Sequence, residues 1–157
     1  MQLFILRHGQ AESQKTTDEA RNLTFVGRRD VAAMAARSLT ELKTVQQVWV
    51  SSLVRAQQTA QIVCDELQKC DVTFTRSTTD LLVPEANPLL LFDALQAAEV
   101  ESILWVSHQP LVGQLIDMFC GSYPGFHDMG TSSMACIDYE VAAVNMGTLR
   151  WLRHANG

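Results

Sequence analysis

The amino-acid sequence predicts an α/β fold, a three-layer α/β/α sandwich with a mostly parallel central sheet. Short apolar runs of strand length recur along the chain, and a stretch with helical spacing of apolar residues follows each one. Strands that alternate with helices favour a parallel sheet, because the crossover helices cover both of its faces. Two strand-like segments at the end of the chain, with a turn between them, add an antiparallel edge.

The composition is typical of one globular domain. Of the 157 residues, 47% are hydrophobic and 18% are charged, and no repeat or Pro/Gly/Ser-rich linker divides them, so we expect a single domain over residues 1–157. A net charge of −5 argues against binding to nucleic acid or to an anionic membrane. A charge follows the first apolar run too early for a signal peptide, and no run is long enough to span a bilayer, which predicts a cytoplasmic protein.

The strands are predicted from short apolar runs and from β-type patterning. Residues 2–6, 47–50 and 103–106 have the length of buried strands. A further strand is expected at Val72–Thr75. Residues 133–140 and 148–153, separated by a segment with Asn145 and Gly147, are expected to form a terminal hairpin.

Four helices are predicted from apolar residues at helical spacing. Their approximate bounds are 27–43, a stretch that ends near 68, 88–98 and a stretch that begins at Pro110. Ser51 or Ser52 can cap the second helix. Asn87 followed by Pro88 is a favourable cap and first-turn pair for the third.

The four cysteines, Cys64, Cys70, Cys120 and Cys136, lack the close pairing of zinc or thiol-disulfide motifs. We interpret them as packing residues. A disulfide between Cys64 and Cys70 is the alternative, but a helical Cys64 and a reducing cytoplasm disfavour it.

Residues suited to phosphate chemistry follow three of the predicted strands. Arg7, His8 and Gly9 follow the first, Arg55 comes shortly after the second, and His108 comes just after the third. Ligands of open parallel sheets bind beyond the carboxyl ends of the strands. We therefore expect these residues to converge on one rim.

Each of these residues has a predicted task there. The guanidinium groups of Arg7 and Arg55 match phosphate oxygens and predict a phosphoryl ligand. His8, kept neutral by nearby positive charge, would be the nucleophile, and Gly9 would let the backbone come close to the ligand. His108 would donate a hydrogen bond to the equatorial oxygens.

Four motifs at these positions resemble those of the histidine phosphatase superfamily, which includes cofactor-dependent phosphoglycerate mutase, and particularly its small phosphohistidine phosphatase branch of the SixA type. The motifs occupy residues 6–12, 23–27, 51–59 and 107–113, in family order. The resemblance implies a phosphoglycerate mutase-like fold without metal or organic cofactor. It also implies a pocket of Arg7, His8, Arg55 and His108, in which His8 is phosphorylated and then hydrolysed.

The predicted substrate follows from the short span before His108. Many superfamily members carry a long insertion there that roofs the pocket and often supplies a glutamate proton donor. This chain has little room for one, so we expect a shallow pocket with an exposed His8, open to a phosphorylated side chain of another protein. Phosphohistidine releases imidazole, which needs a weaker acid than an alkoxide does. The predicted partner is the phosphorylated histidine-containing phosphotransfer domain of a sensor kinase.

Several further residues are candidates for smaller tasks. Glu85 is the first candidate for a proton donor, ahead of Asp80 and Glu12, and solvated loop carboxylates are the alternative for all three. Ser107 could reach the phosphate, and we expect it to support the residues around it. Thr24 is predicted to cap local backbone.

Three other functions are compatible with parts of the pattern. The same pocket would serve a phosphatase for small phosphomonoesters, or a noncatalytic module that binds phosphate on a partner. His8, His108 and His127 could also be metal ligands, but the arginines would repel a divalent cation and no acidic cluster completes the site. If it does not bind a metal, His127, which lies within the glycine-rich residues 121–130, is expected to be exposed or, less favourably, to contact the substrate.

Overall fold

The structure, a computed structural model, describes residues 1–13 and 17–155. The strands in these residues are β1 (Gln2–Arg7), β2 (Gln47–Val50), β3 (Thr75–Thr78), β4 (Ser102–Ser107), β5 (Met134–Tyr139) and β6 (Gly147–Arg153). The α-helices are α1 (Phe25–Arg37), α2 (Leu39–Leu42), α3 (Val54–Lys69), α4 (Pro88–Ala98) and α5 (Leu111–Cys120). Short 3-10 turns lie at Asp18–Ala20 and Asp80–Leu82.

The strands form one sheet in the order β3-β2-β4-β1-β5-β6. The strands β3, β2, β4 and β1 are parallel to one another. β5 pairs with β1, and β6 with β5, in antiparallel orientation. The mostly parallel sheet with an antiparallel terminal hairpin is therefore confirmed. No helix in the described part of the chain is long and apolar enough to cross a membrane.

Both faces of the sheet are buried. Successive strand residues point to opposite faces, so Leu3 and Ile5 of β1 pack with α4 and α5, whereas Phe4 and Leu6 pack with α1 and α3. A strand that is apolar at every position is expected where helices cover both sides. This arrangement confirms the three-layer sandwich.

The first predicted helix, 27–43, is divided in two. The backbone leaves helical geometry at Ser38, between α1 and α2. The buried Ser38 hydroxyl accepts a hydrogen bond from Nη1 of Arg153, 2.9 Å away on β6. The apolar spacing continues through the break, which is why the sequence pattern predicted a single helix.

The strand predicted at Val72–Thr75 lies three residues later, at Thr75–Thr78. Val72 and Phe74 instead pack against the core as partly buried residues after the end of α3. The strand itself is polar and mostly exposed at the edge of the sheet. Its residues therefore show no apolar pattern.

Two of the predicted helix caps are confirmed. The Thr24 hydroxyl accepts from the Gly27 amide at 3.0 Å at the start of α1. The Asn87 side chain accepts from the Leu89 amide at 3.0 Å, with Pro88 in the first turn of α4. These caps are local interactions, which short sequence patterns can identify.

The predicted cap of α3 by Ser51 or Ser52 is wrong. The N-cap position is Leu53, which makes no side-chain cap bond. The Ser51 hydroxyl accepts a 3.3 Å bond from the Leu53 amide, one residue before the helix, and Ser52 donates to Asp80 at 2.8 Å. Both serines therefore have other partners.

The cysteines are free thiols, so the structure contains no bridge between Cys64 and Cys70. Cys64 and Cys136 lie in the core between the sheet and α1 and α3, where burial raises the pKa of each thiol to about 11. The packing interpretation is confirmed for these two. It is wrong for Cys70, which is exposed at the end of α3.

Helix α1 packs closely on the loop that follows β1. A Cβ atom at Gly27 would overlap the carbonyl oxygen of Gln10, a backbone atom that cannot move away cheaply. The loop can therefore approach α1 only because position 27 lacks a side chain. This contact anchors the residues directly after His8.

We expect Gly27→Ala to lower the free energy of unfolding by about 1–3 kcal/mol through overpacking. Alanine in an exposed helix interior would instead stabilise by about 1 kcal/mol. Urea denaturation measures the difference. The matched control is Gly130→Ala, whose Cβ would lie 3.6 Å from the Ser133 hydroxyl, and which should change stability by less than about 0.5 kcal/mol. Unchanged or increased stability of Gly27→Ala would contradict the close packing.

Candidate active site

Three neighbouring strands deliver the predicted residues to one rim. In the register of the sheet Arg7 of β1 is opposite Ser107 of β4. His8 and His108 therefore leave adjacent strand ends, and their ring centroids are 4.9 Å apart. Arg55 lies in the first turn of α3 with Nε 3.4 Å from Nε2 of His8. The predicted convergence is confirmed.

The two ring nitrogens of His8 have different partners. Nδ1 is 2.7 Å from the carbonyl oxygen of Gly9. A carbonyl only accepts hydrogen bonds, so Nδ1 carries the proton and Nε2 keeps its lone pair. Nε of Arg55 donates to that lone pair. The unprotonated nitrogen of His8, Nε2, thus lies beside the guanidinium cation of Arg55.

Both histidines are held neutral. Burial, followed by the positive charges of Arg55 and Arg7, lowers the pKa of His8 to about 4 even though the bond to Gly9 raises it. Burial, followed by His8 and Arg55, lowers the pKa of His108 to about 3. Nearby charge, the predicted cause of the neutrality of His8, contributes less than desolvation does.

The expectation of an exposed His8 is wrong, because the residue is only 6% exposed. The 3-10 turn Asp18–Ala20 packs against α3, the helix that carries Arg55. This turn belongs to the segment before α1 and not to an insertion after α3. No apolar periodicity marks this segment.

Asp18 holds the end of the Arg55 side chain. Nη1 of Arg55 donates to the Asp18 carbonyl at 2.8 Å, and Nη2 donates to its carboxylate at 3.1 Å. The pKa of Asp18 is lowered mainly by its hydrogen bond to Arg21, so it stays a carboxylate. This carboxylate occupies the same kind of guanidinium fork that binds phosphate. The sequence analysis missed both Asp18 and Arg21.

Gly9 is required by close packing within the protein and not, as expected, by the approach of a ligand to its backbone. Its amide donates to the Thr59 hydroxyl at 3.0 Å, and Thr59 in turn donates to the Arg55 carbonyl at 2.8 Å. A Cβ on Gly9 would lie 2.8 Å from the Gly27 carbonyl oxygen and from Val31. Both polar groups of Gly9 are therefore used inside the protein. Thr59 was missed, although it lies one helical turn beyond Arg55.

The ring of His108 is bound on one side only. Nε2 is 2.7 Å from the Ser51 hydroxyl, and Nδ1 is buried with no hydrogen-bond partner in the described residues. Ser107, next to it, donates from its hydroxyl to the Leu82 carbonyl at 2.6 Å, and its backbone carbonyl accepts a 3.0 Å bond from the His8 amide. Ser107 thus supports the rim, as expected, and its hydroxyl already has a partner.

Arg7 reaches the segment before β5. Its Nη1 donates to the Met129 carbonyl at 2.7 Å, whereas Nε is buried and has no partner among the residues described. Nε of Arg7, the residue before His8, and Nδ1 of His108, whose ring lies beside that of His8, are thus both buried without a partner in the described part of the chain. Such groups are costly unless they are satisfied. The oxygens of a phosphoryl group are acceptors that would pair with them.

The three candidate carboxylates differ in position. Glu85 is exposed and lines a cleft of about 290 Å³ together with Asp18. Asp80 lines the same cleft and accepts a hydrogen bond from Ser52. The backbone of Glu12 pairs with Asn22, and its side chain is exposed. Glu85 and Asp80 thus lie near the Arg55 partner Asp18.

His127 has a separate environment. Its Nδ1 is 2.7 Å from the buried carboxylate of Asp117 on α5, and its ring contacts Phe126. The expected exposure of this side chain is wrong, because only 12% of it is accessible. Within residues 1–13 and 17–155, no three His, Cys, Asp or Glu side chains gather in a group that could hold a metal ion.

The fold and the site define an α/β protein in which two neighbouring histidines and an arginine meet at the carboxyl ends of parallel strands. Residues 3–79 match the family profile of the histidine phosphatase superfamily (branch 1). The chain is 32% identical to the phosphohistidine phosphatase SixA of Escherichia coli K12 over 96% of its own length and 92% of the relative's. A phosphohistidine phosphatase SixA homolog of Haemophilus influenzae is 30% identical over 74% of this chain and 75% of that one. The chain belongs to the histidine phosphatase superfamily.

A solved structure supports the same assignment. It shows the protein histidine phosphatase SixA complexed with tungstate, and it superimposes on this chain with a TM-score of 0.88 at 31% sequence identity. The match covers 99% of this chain and 98% of that one. The predicted phosphoglycerate mutase-like sandwich and the predicted family are both confirmed.

The neutral histidines make stability depend on pH. Their folded pKa values, about 4 and about 3, lie below the ordinary value of 6.5, so the unfolded chain binds more protons below pH 6.5 and the native state is destabilised there. At pH 5 we expect each of the two histidines to lower the free energy of unfolding by about 2 kcal/mol relative to neutral pH.

Urea denaturation at pH 7 and pH 5, in buffer without phosphate, tests this expectation. From pH 7 to pH 5 the free energy of unfolding of the wild type should fall by about 2 kcal/mol more than that of His108→Asn. The exposed His154 provides the control, since His154→Asn should follow the wild type. Equal losses in all three proteins would contradict the depressed pKa of His108.

Proposed function

We propose that the protein is a phosphohistidine phosphatase that transfers the phosphoryl group of its substrate to Nε2 of His8 and then releases it to water. The observation that carries this proposal is the pairing of Nδ1 of His8 with the Gly9 carbonyl, which leaves an unprotonated Nε2 next to Arg55. The names of the relatives, which are phosphohistidine phosphatases, support the same activity.

The reaction has two steps. Nε2 of His8 attacks phosphorus, the P–N bond of the substrate breaks, and its electron pair leaves on the substrate imidazole, which takes up a proton. Water then attacks the phosphorus of phospho-His8, which releases inorganic phosphate and restores the neutral ring. Arg7, Arg55 and His108 stabilise the charge on the phosphoryl oxygens in both steps. None of this chemistry requires a metal ion or an organic cofactor.

The neighbouring residues position this machinery. Gly9 fixes the tautomer of His8, and Ser107 fixes the ends of β1 and β4, so their part in substrate binding is indirect. Glu85 is the candidate proton donor, because it lines the cleft beside Asp18. Imidazole is a better leaving group than an alkoxide, so the demand on this acid is small.

The proposed substrate is a phosphorylated histidine-containing phosphotransfer domain of a sensor kinase. The proposed location of the protein is the cytoplasm. The chain between α3 and β4 holds only β3, a 3-10 turn and α4, without a large roof over the pocket. The segment that supplies the Met129 carbonyl to Arg7 also exposes the aromatic side chains of Tyr123 and Phe126. Exposed aromatic residues beside a site are typical of protein interfaces.

The test is release of phosphate from a purified phosphotransfer domain that has been phosphorylated on histidine. We expect turnover by the wild type and a loss of at least about 10³-fold in His8→Ala, because the substitution removes the nitrogen that attacks phosphorus. The matched control is His154→Ala at the protein surface, which should retain wild-type rates. Wild-type turnover by His8→Ala would overturn the nucleophile assignment.

Parallel assays separate the alternative functions. Faster turnover of sugar phosphates than of the phosphorylated domain would show a phosphatase for small phosphomonoesters. Binding of the phosphorylated domain without any release of phosphate would show a noncatalytic module. Either result would contradict the proposed function.

A further inference from the structure

Ser51, which directly follows β2, has hydrogen-bond partners for its amide, its carbonyl and its hydroxyl. The residue is fully buried, its amide donates to the Val106 carbonyl at 3.1 Å, and its carbonyl accepts from the side chain of Gln57 at 2.9 Å. Its hydroxyl oxygen lies 2.7 Å from Nε2 of His108 and accepts a 3.3 Å bond from the amide of Leu53. The backbone contacts leave the hydroxyl little freedom of position.

The hydroxyl has one proton, and its place can be worked out. A buried hydroxyl must donate as well as accept if it is to avoid the cost of an unpaired donor. Among the described residues the hydroxyl contacts only the Leu53 amide, which is a donor, and Nε2 of His108. Donation to Nε2 is therefore the arrangement that satisfies Ser51. If Nε2 donated instead, the hydroxyl would accept twice and its own proton would be buried without a partner.

A bond from Ser51 to Nε2 determines the tautomer of His108. A neutral imidazole that accepts at Nε2 carries its proton on Nδ1. β4 ends at the residue before His108 and lies between β2, which ends before Ser51, and β1, which ends before His8. With Nε2 bonded to Ser51, the ring nitrogen left for another partner is Nδ1. It is the nitrogen of His108 that has no partner in the described residues.

We propose that Ser51 is a positioning residue that holds the proton of neutral His108 on Nδ1, so that this N–H donates to the phosphoryl group transferred to His8. The inference rests on the proposed function, which supplies the phosphoryl group. Both active-site histidines then carry their proton on Nδ1. In His8, Nδ1–H donates to the Gly9 carbonyl and the lone pair of Nε2 is left for the substrate. In His108, Nε2 accepts from the Ser51 hydroxyl and Nδ1–H is left for the substrate. The same tautomer thus gives a nucleophile in one ring and a donor in the other.

The direct test is ¹⁵N NMR of the histidine rings in the substrate-free protein at pH 7, which distinguishes a protonated from an unprotonated ring nitrogen. In the wild type we expect His108 to be protonated on Nδ1. In Ser51→Ala this preference should be lost, and kcat should fall about 10- to 100-fold with a smaller change in KM, since a donor to the transition state is misplaced. Ser51→Thr keeps the hydroxyl and should restore the tautomer and most of kcat.

The matched control is Ser52→Ala, which removes the neighbouring exposed hydroxyl and should change neither the tautomer nor kcat. Protonation of wild-type His108 on Nε2 would overturn the proposal, and this measurement needs no variant to fold. An unchanged tautomer and kcat in Ser51→Ala would overturn it as well. The NMR result does not depend on turnover, so failure of the wild type to hydrolyse phosphohistidine would contradict the proposed function alone.

Discussion

The hydrogen bond from Nδ1 of His8 to the Gly9 carbonyl is the interaction on which the site depends. It assigns the single proton of a neutral imidazole and leaves the lone pair on the nitrogen that faces Arg55. The bond requires Gly9 to stay in place, and two helices hold it there. Thr59 of α3 accepts its amide, and α1 packs against it so closely that no side chain would fit. The fold therefore acts on the chemistry through the position of one peptide group.

The electrostatics of the site follow from burial. A buried cation needs a partner, because desolvation of an isolated charge is costly. Asp18 provides the partner of Arg55, and the Met129 carbonyl provides one for Arg7. The histidines are kept neutral by the same burial. The site thus combines two permanent cations with two neutral rings, which suits an anionic ligand that brings its own negative charge.

Much of this arrangement could be predicted from the sequence, because it depends on local patterns. Apolar runs placed β1, β2 and β4, and the polar residues after them placed His8, Arg55 and His108. The patterns failed where distant residues decide the structure. Arg153 bonds to Ser38 at the break between α1 and α2. Asp18 binds the guanidinium of Arg55, and Ser51 contacts His108 instead of capping α3. These contacts join segments with no shared periodicity.

The central claim is that the phosphoryl group passes through His8. Rapid quenching of a reaction with a ³²P-labelled phosphohistidine protein, followed by mapping of the label under alkaline conditions that preserve phosphohistidine, tests it most directly. We expect a transient label on Nε2 of His8 that appears before inorganic phosphate and then decays. Release of phosphate with no labelled His8 at any time, or a label on another residue such as His108, would contradict it.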